Sequence, residues 1–374
     1  MPTSPSKARY IMIGGFLGAG KTTAVAQLAQ KLTEDGLRVG LITNDQGSEL
    51  VDTAMLRARG FATEEIPGGC FCCRFASLSE AARRLTAITA PDVFIAEPVG
   101  SCTDLVATVT YPLRRLYGDF FTIAPLSVLI DPTRAARIFG LEKGGSFSDK
   151  VLYIYRKQLE EADIIVISKT DLIDADRVRQ LHEVLARQFP HARILAASPR
   201  ARTGLDGWFA RIATTEQEPR RTMHVNYEIY AEGEALLGWL NATVQLRGSS
   251  PFQANTVLET LAADVQARLA SSEIAHFKIT LSPDTGLGDI AVINVVRNDI
   301  VPELSLTLDG PITSAQLILN LRAEAAPEML RDAVCSAVAA INSDSLTAQI
   351  EHLEFFRPGK PVPTHRVTDL AAQP

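Results

Sequence analysis

The stretch Gly15-Phe16-Leu17-Gly18-Ala19-Gly20-Lys21-Thr22 constrains this chain more than any other. It follows a short apolar run, Tyr10 to Ile13, too short for a helix and closed by Gly14-Gly15, which predicts a buried strand. A pattern with helical spacing then runs from Thr23 to about Leu32. Strand, glycine-rich turn and helix, with G-x-x-x-x-G-K-T spacing, are the context of a phosphate-binding loop. Gly18 and Gly20 let backbone N–H groups converge on phosphate oxygens with no Cβ in the way, and the helix N-terminus adds partial positive charge. Lys21 is expected to reach the β- and γ-phosphates and the Thr22 hydroxyl to ligate Mg²⁺. Gly18, Ala19, Gly20, Lys21, Thr22 and Thr23 form the expected nucleotide-binding set.

Downstream, polar residues stand at the ends of further apolar runs, where ligands bind in open α/β sheets. Arg38 to Thr43 reads as a strand ending in Asn44-Asp45-Gln46-Gly47, and Asp45 is a candidate to meet Mg²⁺ or the γ-phosphate. Asp92 to Ala96 reads as another strand, ending at Glu97-Pro98-Val99-Gly100. Glu97 is there a Walker-B-like acid for Mg²⁺ or its water, and Gly100 a backbone donor to the γ-phosphate. Leu126 to Asp131 and Ile164 to Ile167 are two more strands, the second leading into Ser168-Lys169-Thr170-Asp171. A strand ending in [N/S]-K-x-D is how many GTPases read guanine: Asp171 accepts from the base, and the Lys169 stem lies along base and loop. Ser168 stands where Asn is usual. After a strand at Arg193 to Ala197, Ser198 to Gly204 with Leu205-Asp206-Gly207-Trp208 is similar to the loop that closes over the base.

Between these stations lies Gly68-Gly69-Cys70-Phe71-Cys72-Cys73, three thiols within four residues. Thiolates are soft ligands suited to Zn²⁺ or Cu⁺, and three of them leave a fourth position for water, a partner's side chain or an acceptor. The bland alternative is three small buried thiols that pack as hydrophobes. Cys102 is expected to pack. Such crowding makes a poor disulfide framework and points to a reducing compartment, so the cytoplasm is the expected location. A formal charge of −6 with no local Lys/Arg stripe points away from nucleic acid, and no apolar stretch approaches a membrane span.

The order and spacing of these motifs over residues 9–210 resemble the P-loop GTPase family that groups CobW-like proteins with the nickel-insertion GTPases of urease and hydrogenase maturation. The likeness is greatest to the CobW-like metallochaperones. The resemblance implies a GTPase that cleaves a phosphoric anhydride bond with Lys21, Glu97 and Asp45. It further implies a transition metal (zinc or another such as Co²⁺) at Cys70, Cys72 and Cys73, Mg²⁺ at Thr22 and Glu97, and an unidentified client metalloprotein or cofactor-dependent enzyme. Ser168, Lys169 and Asp171 would read the base. The alternative is an activase or corrinoid-type cofactor-maturation protein in which the cysteines are redox or structural. A small-molecule kinase would leave Ser168 to Asp171 without a role. Dimerisation across the nucleotide face is left open.

With 374 residues the chain is long enough for two domains. The expected division is a flexible start at 1–8, the nucleotide domain at 9–213, a charged linker at 214–222, a smaller α+β domain at 223–357 and a flexible tail at 358–374. In the second domain His224 to Tyr230, Leu236 to Leu246, Ile274 to Leu281, Asp289 to Arg297, Ala315 to Leu321 and Glu351 to Phe356 read as strands. Pro251 to Leu269 and Glu328 to Ile341 read as helices. One sheet with helices on one face follows from that alternation.

Overall fold

The computed structural model describes residues 7–44, 53, 56–57, 59–285 and 288–369. The chain divides into two compact units, one of Met1–Gln46, Arg59–Ala231 and Lys360–Pro374, the other of Gly47–Ala58 and Glu232–Gly359.

The first unit is built on a parallel sheet. Its strands are β1 (Ala8–Gly15), β2 (Val39–Asn44), β3 (Ala62–Ile66), β4 (Val93–Glu97), β5 (Phe121–Ile123), β6 (Ser127–Ile130), β7 (Ile164–Ile167) and β8 (Arg193–Ala196). The order is β3-β2-β4-β1-β6-β7-β8, with β5 paired to the start of β1 and β6 to its end. β1, β2, β4, β6 and β7 are almost wholly buried apolar runs, as strands covered on both faces must be. From β1 the chain builds outward in both directions, through β4 and β2 on one side and β6 and β7 on the other. The crevice at that reversal faces the carboxyl ends of the strands, where the phosphate loop follows β1.

The second unit carries an antiparallel sheet in the order β12-β11-β10-β13-β9-β14. The strands are β9 (Leu237–Gln253), β10 (Glu273–Pro283), β11 (Ala291–Val295), β12 (Glu303–Leu306), β13 (Pro311–Glu324) and β14 (Leu346–Phe356). Along β9 the residues Leu240, Ala242, Val244 and Leu246 alternate inward and pack with Leu258, Leu261, Val265, Leu330, Val334 and Val338. The Ala254–Arg268 and Pro327–Ala340 helices therefore share one face of the sheet. The opposite positions Trp239, Asn241 and Thr243 are also buried, and the Arg322 guanidinium lies 3.8 Å from the Trp239 ring.

Two local expectations are corrected. His224 to Tyr230 is not a strand: a helix runs over Tyr227–Leu236, started by the Asn226 side chain, which accepts from the backbone N–H of Glu228 (2.9 Å) and Ile229 (3.2 Å). Leu205 to Trp208 is not loop either. A helix spans Leu205–Thr214 after Gly204 at φ 70°, and buried Trp208 donates from Nε1 to Ser127 Oγ at 2.9 Å. The first unit also runs to Ala231, beyond the charged 214–222 stretch. That stretch is held on the unit: Gln217 N–H donates to the Ile123 carbonyl at 2.8 Å and Arg114 to the Gln217 carbonyl at 2.6 Å. Residues 360–369 likewise belong to this unit and hydrogen-bond to it.

Candidate functional site

Backbone geometry makes the phosphate loop. Gly15, Gly18 and Gly20 have φ of 135°, 75° and 93°, and a Cβ on Gly15 would run into the backbone of Leu129 on β6. Ala19 N–H closes the turn onto the Phe16 carbonyl at 3.1 Å, and the Lys21–Glu34 helix starts directly behind it. Lys21 is buried, its Nζ donating to the Phe16 carbonyl at 3.5 Å. The Thr22 hydroxyl donates to Glu97 Oε1 at 2.9 Å, which brings the loop's hydroxyl and the carboxylate ending β4 to one point. A hydroxyl and a carboxylate at the foot of a ring of N–H donors are the oxygen ligands Mg²⁺ prefers. Asp45 lies outside the described residues.

The Ser168–Asp171 turn meets this loop from β7. Lys169, at φ 51°, donates to the Gly18 carbonyl (2.7 Å) and to Asp131 Oδ2 (2.9 Å). Exposed Asp171 accepts from Ser198 Oγ at 2.5 Å, joining the turn to the Ser198–Gly204 loop. Ser168 sits elsewhere. It is fully buried under the loop, and a Cβ on Gly20 would come within 3.3 Å of its Oγ.

Two supports were not read from the sequence. Asp131 caps the Pro132–Ile138 helix, accepting from Arg134 N–H at 3.0 Å, and Arg134 donates to the Leu17 carbonyl at 2.7 Å. Burial alone would raise the Asp131 carboxyl, but the Lys169 ammonium and Arg134 guanidinium outweigh it and hold the group at about 2. Asp131-Pro132, an N-cap residue before a first-turn proline, is the signal that could have found it.

The cysteine turn follows edge strand β3. Gly68 and Gly69 take φ of 73° and 145°, and Cys73 and Arg74 N–H both close back onto the Cys70 carbonyl, at 3.1 and 2.9 Å. The turn gathers three sulfurs: Cys70 to Cys72 2.8 Å, Cys70 to Cys73 3.2 Å and Cys72 to Cys73 3.7 Å. Among the described residues this is the group of His, Cys, Asp or Glu side chains whose ligand atoms all lie within 4.8 Å of one another. A tetrahedral Zn²⁺ with bonds near 2.3 Å sets its sulfurs about 3.8 Å apart, so a small opening of the turn accommodates one. Cys70 and Cys72 are buried and Cys73 is half-exposed. Hydrogen bonds from the Cys102, Cys72 and Cys73 thiols favour the thiolate at Cys70, which lies well below the usual thiol range. The bond to Cys70 pushes Cys72 well above it, and pushes Cys73 up to about 11.

Asn44 ties this turn to the nucleotide side. It ends β2, one residue beyond Thr43, which pairs with Glu97 at the end of β4, and its side-chain amide donates to the carbonyls of Ile66 (2.8 Å) and Gly69 (2.6 Å). From the other end of the chain, residues 362–366 lie across the turn. Val362 N–H donates to Cys73 Sγ at 3.3 Å, Thr364 N–H to the Cys72 carbonyl at 2.9 Å and Thr364 Oγ1 to the Cys73 carbonyl at 3.2 Å. The Arg366 guanidinium pairs with Asp104 at 2.7 Å.

No helix among the described residues is long and apolar enough to cross a membrane. Residues 9–196 match the family model described as CobW/HypB/UreG, nucleotide-binding domain. "Zinc chaperone CobW" of Sinorhizobium sp is 30% identical over 201 residues, which cover 46% of this chain and 53% of that protein. "Zinc chaperone YeiR" of Escherichia coli strain K12 is 31% identical over 167 residues, covering 44% and 47%. The chain thus spans about half the length of the curated relatives it matches. The Zn(II)-bound YjiA GTPase from E. coli aligns with 90% of this chain and 100% of its own at 14% identity and a TM-score of 0.37, too low to carry an argument. The family model spans half of the chain, from the strand before the phosphate loop to the one after the Ser168–Asp171 turn, and the chain belongs to the CobW/HypB/UreG family.

Proposed function

We propose that this protein is a GTP-hydrolysing metallochaperone, or metalloenzyme maturation factor, that takes up a transition-metal ion as cargo at Cys70, Cys72 and Cys73 under control of its nucleotide state. The observation that carries this reading is the Asn44 amide: one side chain at the mouth of the nucleotide site holds the backbone of the thiol turn. A γ-phosphate that rearranges the end of β2 rearranges the sulfurs with it. The zinc-chaperone relatives support zinc as the first cargo to test.

In the nucleotide site Lys21 swings from the Phe16 carbonyl to the β- and γ-phosphates, and the loop N–H groups hold the phosphate oxygens. Mg²⁺, held by Thr22 with Glu97 behind it, would neutralise charge developing on the β–γ bridge. Glu97 orients the Thr22 hydroxyl. Exposed Asp171 accepts from the guanine edge while Lys169 spans from the loop to Asp131, and Ser168 props the loop from below. The client is a protein that accepts the ion through the half-exposed Cys73 side.

The test is a titration with Zn²⁺ and Co²⁺ at fixed pH in the presence of GTP, GDP or ATP. It uses the wild type and a Cys70→Ser/Cys72→Ser/Cys73→Ser variant. One-to-one binding that depends on GTP and vanishes in the variant is expected. Thiol-independent binding, or an affinity equal under all three nucleotides, overturns the reading, since linkage makes any nucleotide control visible as an affinity ratio.

A further inference from the structure

The three clustered sulfurs have a neighbour on a different loop. Cys102 is fully buried, and its thiol hydrogen-bonds the sulfur of Cys70. It stands outside the group whose members all lie within 4.8 Å of one another, touching that group at one corner. Its own loop begins at Glu97, the carboxylate that receives the Thr22 hydroxyl. At Gly100 that loop lies against the phosphate loop: a Cβ there would come within 2.8 Å of Leu17 Cδ2 and 2.9 Å of the Leu17 nitrogen. One amide then binds the next stretch together, with Gln158 Nε2 donating to the carbonyls of Gly100 and Cys102, each at 2.9 Å. Cys102 N–H returns to the Val99 carbonyl at 3.0 Å. From Thr22 to the sulfurs there is a continuous run of contacts in which the Gln158 amide ties Gly100 to Cys102.

We propose that Cys102 is an exchangeable fourth sulfur for the cargo ion, closing the site when the Glu97–Cys102 loop shifts toward the cysteine turn and opening it when the loop draws back. The proposal rests on the metal-carrying reading above. Closure forms one metal–sulfur bond, releases the Cys102 thiol proton to solvent and expels the water or acceptor atom from the fourth position. Retraction reverses each step. Four thiolates make a closed tetrahedral shell of the kind that retains zinc, whereas three leave an open position of the kind that hands it on. A fourth sulfur also tilts the site further toward thiophilic ions over those that prefer nitrogen or oxygen. The device places the choice between holding and releasing on the loop that carries Glu97.

The experiment is X-ray absorption at the zinc edge on the full-length protein loaded with one equivalent of Zn²⁺. It is run with a non-hydrolysable GTP analogue and with GDP, on wild type and Cys102→Ser. The expected wild-type result is a four-sulfur shell near ~2.3 Å with the GTP analogue and three sulfurs plus one lighter atom with GDP. Cys102→Ser is expected to show three sulfurs in both states and a Zn²⁺ affinity with the GTP analogue about tenfold weaker or more, the least that loss of a ligand should cost. An unchanged shell and affinity ratio in Cys102→Ser overturns the fourth-sulfur role and leaves the three-thiolate site standing. Absence of any sulfur shell in the wild type removes the metal-carrying reading and this proposal with it. Adjacency is checked without metal in a Cys72→Ser/Cys73→Ser variant, where mild oxidation should cross-link Cys70 to Cys102. Failure to cross-link in the folded variant counts against the geometry itself.

Discussion

The phosphate loop and the cysteine turn are both glycine-led loops leaving the carboxyl end of a strand in one sheet, yet they are held in different ways. The phosphate loop leaves the central strand β1 and is braced by the segments that follow β6 and β7, with Lys169 bonded to the Gly18 carbonyl, Arg134 to the Leu17 carbonyl and Ala19 to Phe16. The cysteine turn leaves edge strand β3 and is held from afar: by Asn44 on β2, by Cys102 after β4 and by residues 362–366. Central placement gives a rigid, preformed cradle. Edge placement gives a turn whose shape depends on what its neighbours are doing, which suits the uptake and release proposed for it.

The difference can be broken most severely at Lys21. Lys21→Ala removes the ammonium proposed to reach the phosphates while leaving the cysteine turn untouched, so GTP hydrolysis should fall by roughly 10² to 10³-fold. One-to-one Zn²⁺ binding by the same protein should persist, though it should no longer respond to GTP. Loss of the metal site itself, read by titration, would mean that the two loops are one structural unit and not two coupled ones.

Asn44→Ala strikes the link. It strands the Ile66 and Gly69 carbonyls, a cost of about 1–3 kcal/mol concentrated on the cysteine side. A roughly tenfold weaker Zn²⁺ affinity is expected, with GDP affinity held within about twofold. Equal losses at both sites would show that Asn44 supports the sheet and not the turn in particular.

The mildest contrast is in pH. Asp131, behind the phosphate loop, is held at about 2, so its contribution is complete above the ordinary carboxyl range and is lost only as pH falls through about 2. Glu161 accepts from Thr103 Oγ1 (3.2 Å) and Val106 N–H (3.0 Å) in the stretch just after Cys102, and burial pushes it up to about 8. The folded protein therefore holds a proton there that the unfolded chain, titrating near 4.5, has already lost. Stability from this group is complete below the lower value and is lost as pH rises through about 8. Unfolding midpoints measured from pH 5 to 9 should decline with pH in the wild type and flatten in Glu161→Gln. A slope unaltered by that substitution would place the titration elsewhere.

What could be read in advance follows the same division. Lys21, Thr22 and the glycines before them are one local pattern, and Glu97 announces itself by ending an apolar strand, so the structure finds Thr22 and Glu97 joined as their places suggest. The three clustered cysteines are equally local. The motif position of Ser168 suggests a base contact, while burial beneath Gly20 is something only the fold reveals. The supports of the cysteine turn were illegible because they are separated from it by tens to hundreds of residues and carry no motif. Asn44 looks like a turn residue, Cys102 like a packing one and 358–374 like a loose end. The place of Trp208 is hidden for a related reason: the turn residues around it carry no sign of the distant Ser127 hydroxyl that anchors its indole.

The cover over the cysteine turn has a consequence for how the protein is born. Val362 reaches Cys73 across 289 positions of chain. A ribosome adding residues at its ordinary pace takes roughly 15 to 60 s to travel that far. For that interval the thiols exist with nothing of residues 362–366 yet made to lie across them. The growing chain thus carries its three thiols uncovered on this side well before residues 362–366 are made.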